Sequence, residues 1–392
     1  MKRLAALLAF ILLAVPAMAG HLLRGTGDLG LVIERATGSA LIVDTTKHEE
    51  IARVEGLGDV SHASVVYSRD ERFAYVFGRD GGLTRIDMLE HRIAKRVIQS
   101  GNSIGGAISD DGTLIAVSNY EPGGVRVFDA ETLDPVANIP ATWGEGGKAL
   151  SKTIGLVDVP GRRFVFSLWD AGETWIADFS GGNTPVVTRI GDIGIEPYDA
   201  LVTGNGRHYI AGLFGEDGLT HIDLWADEPS PHRILPGYRK NDPALPVYKM
   251  PHLEGWAAAD GVFFLPAIGR HEVLILDDRS FEEVGRIEVA GQPVFVMARP
   301  DGRQVWVNFA PPHNDTIQVI DVPTRAIVAT LNPGPAVLHM EFAPRGHEVW
   351  MSVRDADEVQ VWNTRTIKKI TSLPVKKPSG IFFTARAHQT GL

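Results

Sequence analysis

From residue 29 to the C-terminus the chain alternates short apolar runs with polar turns. Typical runs are Phe73-Ala74-Tyr75-Val76-Phe77, Val125-Arg126-Val127-Phe128 and Val273-Leu274-Ile275-Leu276. Branched and aromatic side chains of this kind pack well on a pleated surface. Gly, Asp, Asn and Pro punctuate the runs, as tight turns require. No segment carries the 3.6-residue apolar period of a long amphipathic helix. The pattern predicts an all-β chain.

One unit recurs: a strand, an Asp or Asn, a short turn, then another strand. Its clearest copies begin at Val127-Phe128-Asp129, Leu276-Asp277-Asp278, Ile320-Asp321-Val322 and Trp362-Asn363-Thr364. Asp44, Asp87, Asp178 and Asp223 occupy similar settings. The eight anchors are separated by 43, 42, 49, 45, 54, 44 and 42 residues. A period in the forties, with four strands per period, is β-propeller spacing. The chain is therefore predicted to be an eight-bladed β-propeller, with about 47 residues per blade over 20–392. Seven blades plus an embellishment is the alternative. The anchors themselves read as turn formers, not ligands. A second marker agrees: Ser68–Arg72, Ser109–Gly112, Thr203–Gly206, Arg299–Gly302 and Ala343–Gly346 all read as hairpin turns.

Two spacings are stretched, by Thr142–Lys148 and by the segment from Glu228 to His252. Long loops on a rigid scaffold often carry function, though both also fit plain surface insertions. Closure of the ring is expected from pairing of Gly30–Glu34 with the run around Ile381-Phe382-Phe383, which removes free sheet edges.

The first residues change the picture. Lys2 and Arg3 precede an apolar run from Leu4 to Val15, then Pro16 and Ala17-Met18-Ala19. This is the layout of a secretory signal over residues 1–19, leaving 20–392 as a single propeller domain. The run is shorter than the roughly 20 residues of a membrane span, so no membrane anchor is expected. A periplasmic location follows most simply. Without Lys2 and Arg3 the chain holds 36 basic and 48 acidic residues, a net −12. That balance argues against a nucleic-acid partner. There is no cysteine, which excludes disulfides, thiolate metal sites and covalent c-type haem attachment through CxxCH.

Propeller loops gather at one end of the ring axis, and three histidines are candidates there. They are His62 in Asp59-Val60-Ser61-His62, His252 in Pro251-His252-Leu253, and His339 in Val337-Leu338-His339. All three read as turns before strands. Neutral imidazole ligates haem iron and transition metals. Arg79, in Gly78-Arg79-Asp80-Gly81, stands at a strand end, where its planar fork suits a carboxylate; a turn pair with Asp80 is the structural alternative. Tyr120 also ends a strand, either to stack on a flat ligand or to cover the core. Glu145 and Lys148 are expected in solvent. No HExxH, EF-hand, P-loop, dinucleotide fingerprint or GxSxG elbow is present.

The stretch from His62 through Gly78-Arg79-Asp80-Gly81 to Ile86-Asp87 resembles the start of the d1-haem domain of cytochrome cd nitrite reductases. From about Leu29 to Thr390 the chain is more closely similar to the NirF family of haem d1 biosynthesis proteins. Asn119-Tyr120-Glu121-Pro122, Glu348–Val353 and Pro378-Ser379-Gly380 extend the likeness. The resemblance implies that His62 is the axial ligand of the haem iron and that Arg79 contacts a carboxylate of the macrocycle. It sets His252 at the first of two distal catalytic positions, and with a flat ring in the funnel Tyr120 becomes a ring-edge contact. The second such histidine would fall near Gly291-Gln292-Pro293, where this chain continues Val294-Phe295. That departure, with the missing CxxCH, argues against nitrite reduction.

The resemblance therefore implies a periplasmic protein that binds haem d1 or a late tetrapyrrole precursor and acts in its side-chain modification or maturation, with a dehydrogenase-like activity among the options. The macrocycle would be substrate, product or cargo. Cytochrome cd nitrite reductase and other periplasmic maturation proteins are the implied partners. Two other classes stay open: a non-catalytic carrier delivering haem d1 to nitrite reductase, and an unrelated metal-dependent propeller hydrolase.

Overall fold

The computed structural model describes residues 24–236, 255–267 and 270–391. Residues 1–19, read above as a secretory signal, and His252 lie outside them. Within them the strands assemble into eight four-stranded antiparallel sheets, each a meander. Blade 1 is built from both ends of the chain: Pro378–Phe383 is its innermost strand, followed outward by Leu29–Glu34, Ser39–Asp44 and Glu49–Val54. Blades 2 to 8 then occupy 64–98, 102–139, 153–190, 197–234, 257–288, 293–331 and 337–374. Every blade after the first begins at its innermost strand and ends at its outermost. The eight-blade prediction holds.

Closure falls where the sequence predicts it. Gly30 pairs with Phe383, Leu31 with Phe382 and Val32 with Ile381. Gly30 is needed there, because a Cβ would stand 2.6 Å from the Phe383 ring. The closing strand buries Ile381 and Phe383 with Val32 and Leu41 of blade 1 and Trp350, Val359 and Val361 of blade 8. The core is thus a ring of apolar layers between neighbouring blades.

All eight anchors are the last residue of the third strand of a blade. Their side chains cap the turn that follows. Asp44 Oδ1 accepts from the amides of Thr46 and Lys47 at 2.9 and 2.8 Å, and Asn363 Oδ1 from Arg365 and Thr366 at 3.0 and 2.9 Å. An Asx side chain that satisfies turn amides has a local structural task; five anchors accept two such amides, and Asp178, Asp223 and Asp321 accept one each.

In such a meander, the loops between blades and the turns joining second to third strands leave from one face. The first stretched loop therefore opens on that face, and most of the second lies outside the described residues. The first is a small hairpin, Thr142–Trp143 paired with Ala149–Leu150, with Glu145 and Lys148 exposed at its tip. Across the opposite face runs the C-terminal tail. Arg386 forms a buried fork to Glu341 of blade 8 at 2.8 and 2.6 Å, the Arg69 guanidinium donates to the Ala387 carbonyl, and the Gly391 amide donates to Asp158 of blade 4 at 2.9 Å.

Candidate functional site

The innermost strands share an irregularity that shapes the axis. In blade 4, Ile154 pairs with Ser167 and Val157 with Val165, so Gly155 and Leu156 oppose a single residue. The same bulge frees Tyr198 and Asp199 in blade 5, Val294 and Phe295 in blade 7, and Leu338 and His339 in blade 8. Blade 1 is bulged at Ser379 and Gly380, and blade 3 at Ile104. A bulge re-aims side chains and leaves amides without ladder partners. Buried polar residues on the second strands take up those amides: Asn308 accepts from Phe295 N–H at 2.8 Å, and Ser352 from His339 N–H at 2.9 Å.

The bulged residues line a cavity of about 420 Å³ on the ring axis, together with Arg35, Ser61, His62 and the first residues of blade 2. That volume lies within the roughly 300–1,000 Å³ of small-molecule sites. The walls mix aliphatic and aromatic groups with a few polar ones.

Among the sequence candidates, His62 lines this cavity from an exposed turn before the first strand of blade 2, as predicted. Arg79 and Tyr120 stand at the loop face of blades 2 and 3, with the Arg79 guanidinium 5.6 Å from the Tyr120 ring centre. The turn pair of Arg79 with Asp80, the structural alternative, is not what holds this corner. Asp80 instead bonds Arg96 at 2.6 Å, and the Arg79 amide donates to Asp59 O at 2.7 Å. Tyr120 donates to the Tyr198 hydroxyl at 3.3 Å, which links it to the cavity wall. Burial, aided by the Asp199 carboxylate, raises the Tyr120 phenol above its ordinary value, so it stays a neutral donor.

His339 departs from its predicted turn. It is the third residue of the innermost strand Val337–Phe342 of blade 8, buried, and turned to the axis by the bulge. Its Nδ1 accepts from Ile381 N–H at 3.2 Å, and its ring packs against Phe295 and Phe382 at 5.3 and 5.7 Å. The strand-forming neighbours outweighed the turn reading.

Sequence reasoning missed Arg35. It lines the cavity from the turn after the second strand of blade 1, the place Arg79 holds in blade 2. Burial and the nearby Arg354 charge push its guanidinium value down. Hydrogen bonds from Ser61, helped by the Arg79 and Arg35 charges, hold Asp59 below the usual carboxylate range. Only the recurrence of Arg after the second strand would have signalled Arg35. Among the described residues no group of three or more His, Asp or Glu side chains is arranged to hold a metal ion.

A propeller whose bulged inner strands enclose an axial cavity with histidine and arginine at its mouth defines a ligand-binding class, and comparison with known proteins narrows it. The Cytochrome D1 heme domain family model matches residues 24–387. Protein NirF of Stutzerimonas stutzeri is 61% identical over 98% of this chain and 99% of its own length. Protein NirF of Pseudomonas aeruginosa is 62% identical over 94% of each. The chain belongs to the cytochrome D1 heme domain family, together with the NirF proteins. Among solved structures, the dihydro-heme d1 dehydrogenase NirN in complex with DHE superposes with a TM-score of 0.81 at 26% identity, covering 93% of this chain and 77% of that one.

Proposed function

We propose that the chain is a periplasmic protein that binds haem d1 or a late tetrapyrrole precursor in its axial cavity and acts in the side-chain modification or maturation of that macrocycle. Family membership supports a role in haem d1 biosynthesis and nitrite reductase maturation. The single observation that carries the binding reading is the axial cavity, lined by bulged strands, with His62 and Arg35 on its wall.

The residues fit such a substrate. A tetrapyrrole is flat and apolar, with carboxylates at its periphery that need charged partners when withdrawn from water. Gly105, Gly155, Leu156, Val294 and Phe295 offer apolar surface. His62 would hold the iron. Arg79 would take a carboxylate, and Tyr120 would touch the ring edge. His252 would carry a proton on the distal side. The family resemblance puts a second distal histidine near Gly291-Gln292-Pro293, where this chain instead continues into the cavity-lining Val294 and Phe295, which argues against nitrite chemistry. The NirN structure, a dehydrogenase holding DHE, supports ring binding on this scaffold.

The test is saturable binding of haem d1 by the purified chain without oxygen. A precursor returned with altered mass makes the protein an enzyme, and a ring returned unchanged makes it a carrier for cytochrome cd nitrite reductase or another maturation protein.

A further inference from the structure

Three histidines meet on one sheet face away from the axis. They sit on the second, third and fourth strands of blade 5: His208 in His208–Leu213, His221 in Leu219–Asp223 and His232 in Pro231–Ile234. His221 pairs with His232 across one ladder and with Ile210, two residues beyond His208, across the other. Paired residues share a face, and so do residues two apart along a strand. All three imidazoles therefore leave the same side of the sheet, the side that meets blade 6.

Blade 6 fixes two of them. The Phe281 ring, in the turn after that blade's third strand, stacks on His221 with ring centres 4.1 Å apart and meets His208 edge-on at 5.2 Å. Held this way, His221 Nε2 lies 2.9 Å from His208 Nδ1. The His232 ring runs alongside that of His221, 6.3 Å away, on the exposed edge strand. Burial pushes the His221 value down to about 4 and lowers His208 as well, so both rings are neutral at pH 7. Asp223, opposite His208, is taken by the Arg207 fork at 3.0 and 2.6 Å.

Two neutral imidazole nitrogens aimed at one another can share a proton or an ion. Four-coordinate zinc, with Zn–N bonds of about 2.0–2.1 Å, sets two nitrogens about 3.3 Å apart. The pair has only a few tenths of an ångström to open. The hydrogen it shares moves to the other nitrogen of the same ring, so no charge is lost. Among the described residues no three such side chains converge on one point as they stand; the exposed His232 completes the set by turning about its own side-chain bonds. We propose that His208, His221 and His232 form a binding site for a divalent transition ion of the zinc type at the seam of blades 5 and 6. Three nitrogens without a carboxylate suit such ions and disfavour calcium and magnesium, which take oxygen ligands. The ion would tie together the three outer strands of blade 5, at the edge from which the second stretched loop departs. The site stands apart from the tetrapyrrole reading, since none of its residues lines the axial cavity.

The test is calorimetric titration of Zn2+ into the full chain, purified without an affinity tag and stripped of metal by a chelator. Co2+ then replaces Zn2+, to read the coordination geometry from its visible spectrum. One equivalent should bind at this site, with the intense Co2+ bands of a four-coordinate ion. His232→Ala, an exposed change that spares the buried pair, should weaken Zn2+ binding roughly 10- to 100-fold, and His208→Gln and His221→Gln should each weaken it at least as much. Thermal melts check that each variant folds, and saturating Zn2+ should raise the midpoint of the unaltered chain more than that of any variant. If the buried His221→Gln fails to fold, the other two variants decide. No Zn2+ binding by the unaltered chain, or unchanged affinity in any folded variant of the three, overturns the site.

Discussion

The Arg79 guanidinium lies 5.6 Å from the Tyr120 ring centre, joining the loop faces of two adjacent blades. The contact holds a cation at the cavity mouth with no carboxylate hydrogen-bonded to it, since Asp80 is engaged by Arg96, while Asp59 lies within reach of its charge. A cation kept over an aromatic face retains its outer N–H groups for an anion. Arg79→Ala should therefore weaken haem d1 binding by roughly tenfold and leave the iron spectrum of the bound ring unchanged. Isothermal titration and absorption spectra check the two halves, and unaltered affinity would return Arg79 to a purely structural role.

His62 acts on the other property. If its imidazole is the axial ligand, His62→Ala changes the absorption spectrum of bound haem d1, and added imidazole restores it. A folded variant with the original spectrum removes His62 from the iron.

The sequence made the ring legible because each blade repeats one physical need. Every third strand ends in a turn whose amides want an acceptor, so Asp44 through Asn363 recur at blade spacing. Pairing of Gly30 with Phe383 was legible for a similar reason, since an unclosed ring leaves two sheet edges. The cavity wall was not legible. Bulges at Tyr198, Phe295 and His339 leave no local composition signal, so a strand histidine read as a turn histidine. Arg35 carries no motif either, and its kinship with Arg79 lies in its place after a second strand. His62, Arg79 and Tyr120 stood out by their places at strand ends and turns, the family resemblance gave them roles, and the structure gathers all three on one face.

The closing strand should dominate stability. Phe383 is buried and meets Trp350 edge-on at 5.6 Å. Phe383→Ala deletes a ring from the seam between blades 1 and 8 and should cost about 3–5 kcal/mol. Urea unfolding measures this. A loss below about 1 kcal/mol would mean that closure depends little on this packing.

Asp158 makes stability depend on pH. It is buried, accepts from the Gly391 amide, and has the Arg69 guanidinium only at 3.6 Å. Burial pushes its carboxyl up to about 6 from 3.8. A raised folded value means that its stabilising share is complete below pH 3.8 and is lost as pH rises through 6. Asp158→Asn should stabilise the protein at pH 7.5, by at most about 3 kcal/mol at 1.36 kcal/mol per unit, and leave it unchanged at pH 4. Thermal melts of both proteins across pH 4–8 decide it; parallel curves would contradict the assignment.

The most direct measurement blocks the cavity itself. Gly105 lines it from the innermost strand of blade 3, and a Cβ there would meet only Ser64 Oγ, at 3.4 Å. Gly105→Leu therefore fills the axis with little demand on the backbone. Anaerobic titration of haem d1 into the unaltered chain and into Gly105→Leu, with both shown to be folded by thermal melt, should give saturable binding in the first and at least roughly 100-fold weaker binding in the second. Equal binding by both would place the macrocycle elsewhere on the protein and contradict the account.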